Sequence, residues 1–204
     1  MTYDRKTARE TILEKLGDET NLRFGPEQVN RIIGEEIRSL YPTFTKVMVD
    51  DSSLTLSCDT YEYALPTGMD IAYKVEWQTY DGRWIENLDW ETTSENNLHF
   101  RKVELCGLLR VTGGTKIANP TTETGTTGLI DIEDEWIEMF ELGCCVKALR
   151  RKLPWRVAAD TMPALTNEMG QSVEALINTY RTLVVDYDEE RNRQEVDFIN
   201  KHYS

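Results

Sequence analysis

Histidine is scarce in this chain, which contains His99 and His202 among its 204 residues. Histidine is the commonest general base of enzymes and a frequent metal ligand. His202 lies beside the chain end, so a Ser-His-Asp or Cys-His arrangement could be built only on His99. That residue falls in a predicted strand at 97–103, where a surface or cross-strand role explains it without catalysis. We therefore predict no catalytic residue.

Paired cysteine motifs are also missing. The chain has no C-x-x-C pair and no histidine near its four cysteines, and this pattern argues against a Cys/His zinc site. The cysteines are Cys58, Cys106, Cys144 and Cys145. The expectation is that all four are reduced, mostly buried thiols in a chain kept in a reducing compartment.

Long apolar runs and nucleotide-binding motifs are absent as well. No run approaches the roughly 20 residues that span a bilayer, and the first residues lack a signal-peptide pattern. The expectation is a soluble protein without membrane contact. Neither G-x-x-x-x-G-K-[ST] nor G-x-G-x-x-G occurs, and the acidic stretches at 50–51 and 131–135 lack calcium-loop spacing. We predict no cofactor and no metal site.

The charge that is present is mostly acidic, with a formal net charge of −13. A field of that sign opposes attraction to phosphate backbones and to anionic lipid surfaces. It does not exclude DNA that moves past the protein, because a repulsive wall lets DNA slide without sticking.

The apolar periodicity changes from helical to β and back to helical along the chain. Helical spacing begins at Asp4, placed to cap a first helix, and again at Pro26, a residue tolerated in a first turn. Helical spacing returns near Asp131 and near Pro163. Between the two pairs of helices, from about Leu54 to Thr112, apolar and polar residues alternate as in strands. We predict an α+β fold, a helical bundle of about four helices with an inserted small antiparallel β-sheet. The predicted segments are a helical hairpin at 1–50, a β subdomain at 51–130, long helices at 131–185 and a C-terminal arm at 186–204.

Three tryptophans, Trp77, Trp84 and Trp90, lie in the stretch KVEWQTYDGRWIENLDW. Asp81-Gly82 is a strong hairpin signal between predicted strands at 72–80 and 83–90. A two-residue loop pairs Thr79 with Trp84, and it also pairs Trp77 with Glu86 and Val75 with Leu88. In that register Trp77, Trp84, Val75 and Leu88 share one face and form a small packed core. The alternative is an exposed face that stacks on a ligand such as a carbohydrate.

The order of these features resembles the head-to-tail adaptor (connector) proteins of tailed bacteriophages. The resemblance rests on YEYALPTGMDIAYKVEW, DGRWIENLDW and NNLHF, followed by a turn-rich loop and IDIEDEWIEMFELGCCVKALRRKL. It implies a structural virion protein and no enzyme. Such a protein forms a ring, expected to be a dodecamer, in the neck beneath the portal, where it extends the DNA channel and docks the stopper or tail-completion protein.

The resemblance also implies where the partners bind. C-terminal segments of these adaptors commonly reach the portal protein, and the matching apolar anchors in the arm at 186–204 are Val196, Phe198, Ile199 and Tyr203. The other implied partners are further copies of the chain and double-stranded DNA that passes without specific binding. The implied location is the virion, with assembly in the host cytoplasm. Two alternatives stay open: a carbohydrate-type binding module that uses the tryptophan hairpin, and an enzyme whose site is built from Asp, Glu and Tyr.

Overall fold

The computed structural model divides into two compact units. The helical unit comprises Met1–Thr43 and Ile117–Val196, and the β unit comprises Phe44–Lys116 and Asp197–Ser204. The residues that the structure describes are 3–18, 23–86, 88–93, 95, 97–102, 106–124, 127–152 and 173–202.

The helices begin where the local sequence favours a helix start. The Asp4 side chain accepts a hydrogen bond of 2.8 Å from the Thr7 N–H and so caps α1, as predicted, and Pro26 occupies the first turn of α2. A short 3₁₀ turn at Asp134–Trp136 leads into α3. The helices are α1 Arg5–Lys15, α2 Pro26–Leu40, α3 Ile137–Lys152 and α4 Val173–His202. Among the described residues, no helix is long and apolar enough to cross a bilayer.

The apolar faces of α1, α2 and α3 supply the core of the helical unit. Their spacing of three and four residues puts the buried side chains on one side of each helix. Fully or almost fully buried members include Ala8, Ile12, Val29, Ile33, Ile37, Met139, Phe140, Cys144, Cys145 and Ala148.

A loop between the β unit and α3 is bonded to the start of α1. The backbone N–H of Arg5 donates to the Gly128 carbonyl at 2.9 Å, and that of Lys6 donates to the Glu123 carbonyl at 3.1 Å. The Glu123 carboxylate also accepts a hydrogen bond of 2.8 Å from Asn30 on α2. The loop therefore shares its hydrogen bonds with two helices.

The β unit contains two antiparallel sheets. The large sheet has the strand order β1–β7–β3–β4 and the small sheet the order β2–β6–β5. The strands are β1 Lys46–Leu56, β2 Glu62–Ala64, β3 Ile71–Gln78, β4 Trp84–Ile85, β5 Trp90–Thr92, β6 Asn97–Phe100 and β7 Gly107–Thr115.

Apolar side chains from both sheets form one core cluster in the β unit. Its buried members are Leu56, Met69, Ala72, Val75, Leu98, Phe100, Leu109 and Val111. Gly113 and Gly114 lie within β7, paired with strands on both sides. A Cβ on Gly114 would collide with the Thr45 and Tyr73 hydroxyls. Glycine is required here for close packing.

The predicted fold class is wrong. The described residues form four helices together with antiparallel sheets of four and three strands, and the larger sheet curls like half a barrel. A bundle with a small inserted sheet does not describe this fold, because the two sheets pack together and bury a core of their own. Strand periodicity revealed the β segment, but it carried no information on how many sheets would form.

The expectation of four reduced, mostly buried cysteines is also wrong. Cys58 and Cys106 are exposed and joined by a disulfide, with their Cα atoms 5.9 Å apart. Cys144 and Cys145 are free thiols and fully buried, as expected. The sequence separation of 48 between the bonded cysteines hid their proximity, which arises from sheet pairing.

Candidate interaction surfaces

The last turns of α4 carry the apolar side chains for which a partner was predicted. Val196 and Ile199 are 56% and 45% exposed, whereas Phe198 is only 4% exposed. Helical geometry separates Phe198 from Val196 by about 200° around the axis but brings Ile199 back toward the side of Val196. Tyr203 lies outside the described residues. The helix thus presents Val196 and Ile199 and buries Phe198.

Phe198 packs inside the β unit. Its ring centroid lies 5.4 Å from that of Tyr73, in an edge-to-face arrangement, and 6.2 Å from that of Phe44. Such aromatic contacts add to the free energy of area burial. The helix α4 also runs without interruption past Asp186, the residue at which the arm was predicted to begin.

The earlier part of α4 is tied to the helical unit through Glu36. The Tyr187 hydroxyl donates to Glu36 Oε1 at 2.9 Å, and the Lys147 ammonium lies 2.6 Å from Glu36 Oε2. Glu36 on α2 is 0% exposed. A buried carboxylate is tolerated only with such partners, so this network holds α2, α3 and α4 in one arrangement.

Electrostatics keep the Tyr187 hydroxyl in its donating form. Burial, followed by the negative charge of Glu36, raises the pKa of Tyr187 well above its ordinary value. A second carboxylate, Glu141 on α3, is held in the same way by the Tyr3 hydroxyl at 2.8 Å and by Lys15 at 2.8 Å. Burial, and then Glu141, raises the pKa of Tyr3 in turn. Both tyrosines stay protonated and neutral over the physiological range.

The tryptophan hairpin has a register different from the predicted one. Thr79 pairs with Arg83 around a three-residue loop, and its N–H donates to the Arg83 carbonyl at 2.8 Å. Gln78 is therefore opposite Trp84, and Trp77 is opposite Ile85. A shift of one residue moves a side chain to the other face of a sheet. The predicted pairing of Thr79 with Trp84 is wrong, and Trp77 and Trp84 lie on opposite faces.

The predicted packing residues consequently separate. Val75 is fully buried in the core cluster of the β unit, and Trp77 and Leu88 are partly buried against the same cluster. Trp84 lies on the outer face of the large sheet, and Trp90 belongs to the small sheet. The structure does not bring the three tryptophans onto one face, so they do not form a shared stacking surface.

Trp84 is part of a charged cluster on the outer face of the large sheet. The Arg110 guanidinium lies 4.7 Å from the centroid of the Trp84 ring, and its Nε donates to Glu76 Oε2 at 2.8 Å. Lys74 bonds Glu86 at 2.8 Å, and that bond is the main cause of the raised pKa of Lys74. Arg110 covers one side of the Trp84 ring through a cation–π contact. The charged groups of this cluster thus pair with one another, Arg110 with Glu76 and Lys74 with Glu86.

Two observations concern possible metal and ligand sites in the part of the chain that the structure describes. Within them, no group of three or more His, Cys, Asp or Glu side chains is placed to hold a metal ion. A groove of about 570 Å³ beside α1 is lined in part by Arg9, Glu10 and Glu14. Its described lining also includes the hydroxyl side chains of Thr7 and Thr11.

No protein-family model matches the chain, and no curated protein is significantly similar to it.

Proposed function

We propose that the chain is a structural virion protein, a head-to-tail adaptor that assembles as a ring under the portal of a tailed bacteriophage. In this role it extends the DNA channel, docks the stopper or tail, and passes double-stranded DNA without binding it specifically. It works by surface complementarity and catalyses no reaction. The order of sequence features that resembles such adaptors is the basis of this proposal.

The exposure of Val196 and Ile199 carries the proposal to particular residues. Two large apolar side chains at 56% and 45% exposure lie within one turn near the end of α4. Phe198 is anchored on the other side, so the turn is already ordered when a partner arrives, and little conformational entropy is lost on binding. These two residues are the proposed contact with the portal protein.

The charge of the chain supports the channel role. A net charge of −13 repels phosphate, and DNA that must move rapidly through a ring gains from a wall that does not hold it. The location that follows from this role is the neck of the virion.

The test mixes the purified chain with the portal protein encoded in the same genome and images the product by electron microscopy. We expect a second ring stacked on the portal, with as many copies of this chain as of the portal protein. A chain that stays free at concentrations well above micromolar would contradict the adaptor function.

Surface variants then locate the contact. Truncation at 186 would also remove Phe198 from the β unit, so it cannot separate docking from stability. The double variant Val196→Lys/Ile199→Lys should keep the melting temperature and lose stacking on the portal. The control is Val49→Lys, which replaces a valine of 57% exposure on edge strand β1, a position that tolerates lysine. Normal stacking by the double variant would exclude this surface while leaving the adaptor function open.

A further inference from the structure

The disulfide joins two of the four chain connections that run between the sheets. After β1 ends at Leu56, the chain passes through Cys58 to reach β2 in the small sheet. After β6 ends at Phe100, it returns through Cys106 to β7 in the large sheet. One covalent bond therefore ties an outgoing connection to a returning one.

Strand pairing brings these connections side by side. On the large sheet, Leu56 is opposite Gly107, and on the small sheet, Glu62 is opposite His99. The bond closes a segment with a sequence separation of 48 that contains all three strands of the small sheet and also β3 and β4 of the large sheet. It is thus placed to hold the small sheet against the large one.

The two cysteine pairs differ in chemistry. Cys58 and Cys106 are exposed, so reductants and oxidants in solvent can reach them. Cys144 and Cys145 are adjacent and fully buried in the helical unit. Burial raises the pKa of Cys145 to about 12 and that of Cys144 well above its ordinary value. Thiolate is the reactive form, so only the exposed pair exchanges readily.

We propose that the Cys58–Cys106 bond is a reversible redox lock on the sandwich of the β unit. In a reducing medium the two thiols are free, and in an oxidising medium the bond forms. With glutathione disulfide as oxidant, the thiolate of one cysteine attacks a glutathione sulfur, forms a mixed disulfide and releases one glutathione thiolate. The thiolate of the other cysteine then displaces the second glutathione, so one disulfide is consumed and one is formed.

The lock acts on the shared core of the two sheets. Leu98 and Phe100 on β6 are fully buried in the same core cluster as Leu109 and Val111 on β7. When the bond is open, the small sheet keeps its hydrogen bonds but loses one covalent tie to the large sheet. Its strands then separate from this core more often, because the loop that closes them has more conformations.

The test compares the full chain after treatment with glutathione disulfide and after treatment with dithiothreitol. Alkylation of the native protein followed by mass spectrometry should label neither member of the exposed pair when oxidised and both when reduced. Cys144 and Cys145 should stay unlabelled in both states. Amide hydrogen exchange in β2 and β6 should be at least tenfold faster in the reduced protein, while α2 is unchanged. For a sequence separation of 48, the chain-entropy relation sets an upper limit of about a thousandfold on this increase in the exchange rate.

The double variant Cys58→Ser/Cys106→Ser is the matched control. It should exchange like the reduced protein in both media, because it has no bond to form. If the oxidised chain binds two alkylating groups at Cys58 and Cys106, the bond does not form and the lock is excluded. If the bond forms but β2 and β6 exchange equally in both states, the bond is present without acting as a lock. Neither result depends on the adaptor function.

Discussion

Different kinds of interaction stabilise the interior of the helical unit and the interior of the β unit. In the helical unit, two buried carboxylates, Glu36 and Glu141, each bind a tyrosine hydroxyl and a lysine from other segments. In the β unit, an apolar core between two sheets is supplemented by the Cys58–Cys106 bond. Breaking a buried ion pair leaves an uncompensated charge, whereas loosening an apolar sandwich mainly costs packing. The two units should therefore respond differently to matched substitutions.

The largest expected effect comes from Lys147→Met in the helical unit. The change removes the ammonium partner of the buried Glu36 carboxylate, which keeps its bond to the Tyr187 hydroxyl, and removing one partner of a buried pair costs about 3–5 kcal/mol. Chemical denaturation should show this loss in the free energy of unfolding.

The control for that variant is Arg151→Met. Arg151 pairs with Glu35, one residue from Glu36, but the side chains of both Arg151 and Glu35 are partly exposed. A surface pair contributes about 0–1 kcal/mol. Equal losses for the two variants would show that burial of Glu36 does not govern the stability of the helical unit.

A smaller effect sharpens the description of the β unit. Trp77→Ala removes a ring packed against the core cluster, and we expect a loss of about 3 kcal/mol. Trp84→Ala removes a ring from the outer face with its cation–π contact, for which we expect about 1 kcal/mol. Denaturation of the two variants measures the difference. Equal losses would favour the two-residue loop, in which both rings share one face.

The smallest effect concerns the Asp4 cap of α1. Its hydrogen bond from the Thr7 N–H lowers the pKa of Asp4, so the stabilisation is complete above the unfolded value of about 3.9. It is lost as the pH falls through the lower folded value. Asp4→Ala should lower the free energy of unfolding by about 1 kcal/mol at neutral pH. Chemical denaturation at several pH values should show the difference between the variant and the unchanged chain becoming smaller below about pH 4. Asp4→Asn keeps a hydrogen-bond acceptor and should lose less stability than Asp4→Ala. A stability difference between Asp4→Ala and the unchanged chain that grows in acid would contradict the role of Asp4 as a cap.

Sequence patterns predicted the two units with unequal success. The caps and apolar spacing at Asp4 and Pro26 located α1 and α2 almost to the residue. In the β segment, the predicted strand at 83–90 splits between two sheets, with Trp84 in β4 and Trp90 in β5. The glycine pair at 113–114, which resembles a turn, lies inside β7.

The candidate contact surface was partly readable as well. The sequence shows the apolar residues of the last turns, but apolar character alone does not divide them between two faces. Helical spacing separates Phe198 from Val196 and Ile199, and applying it to residues 196–199 would have revealed two faces. Which face is buried could not be read, because the aromatic partners Phe44 and Tyr73 are distant in sequence.

Local sequence was enough to predict the starts of α1 and α2, the presence of a β region, the acidic charge and the absence of long apolar segments. These features depend on interactions within a few residues or on composition alone. By contrast, α3 begins at Ile137 rather than near Asp131, and the start predicted near Pro163 lies outside the described residues. Long-range packing sets the hairpin register, the number of sheets, the Cys58–Cys106 bond and the partners of Glu36. Each of these depends on residues far apart in the chain, and their pairing is selected by the free energy of burying whole faces together rather than by any local preference.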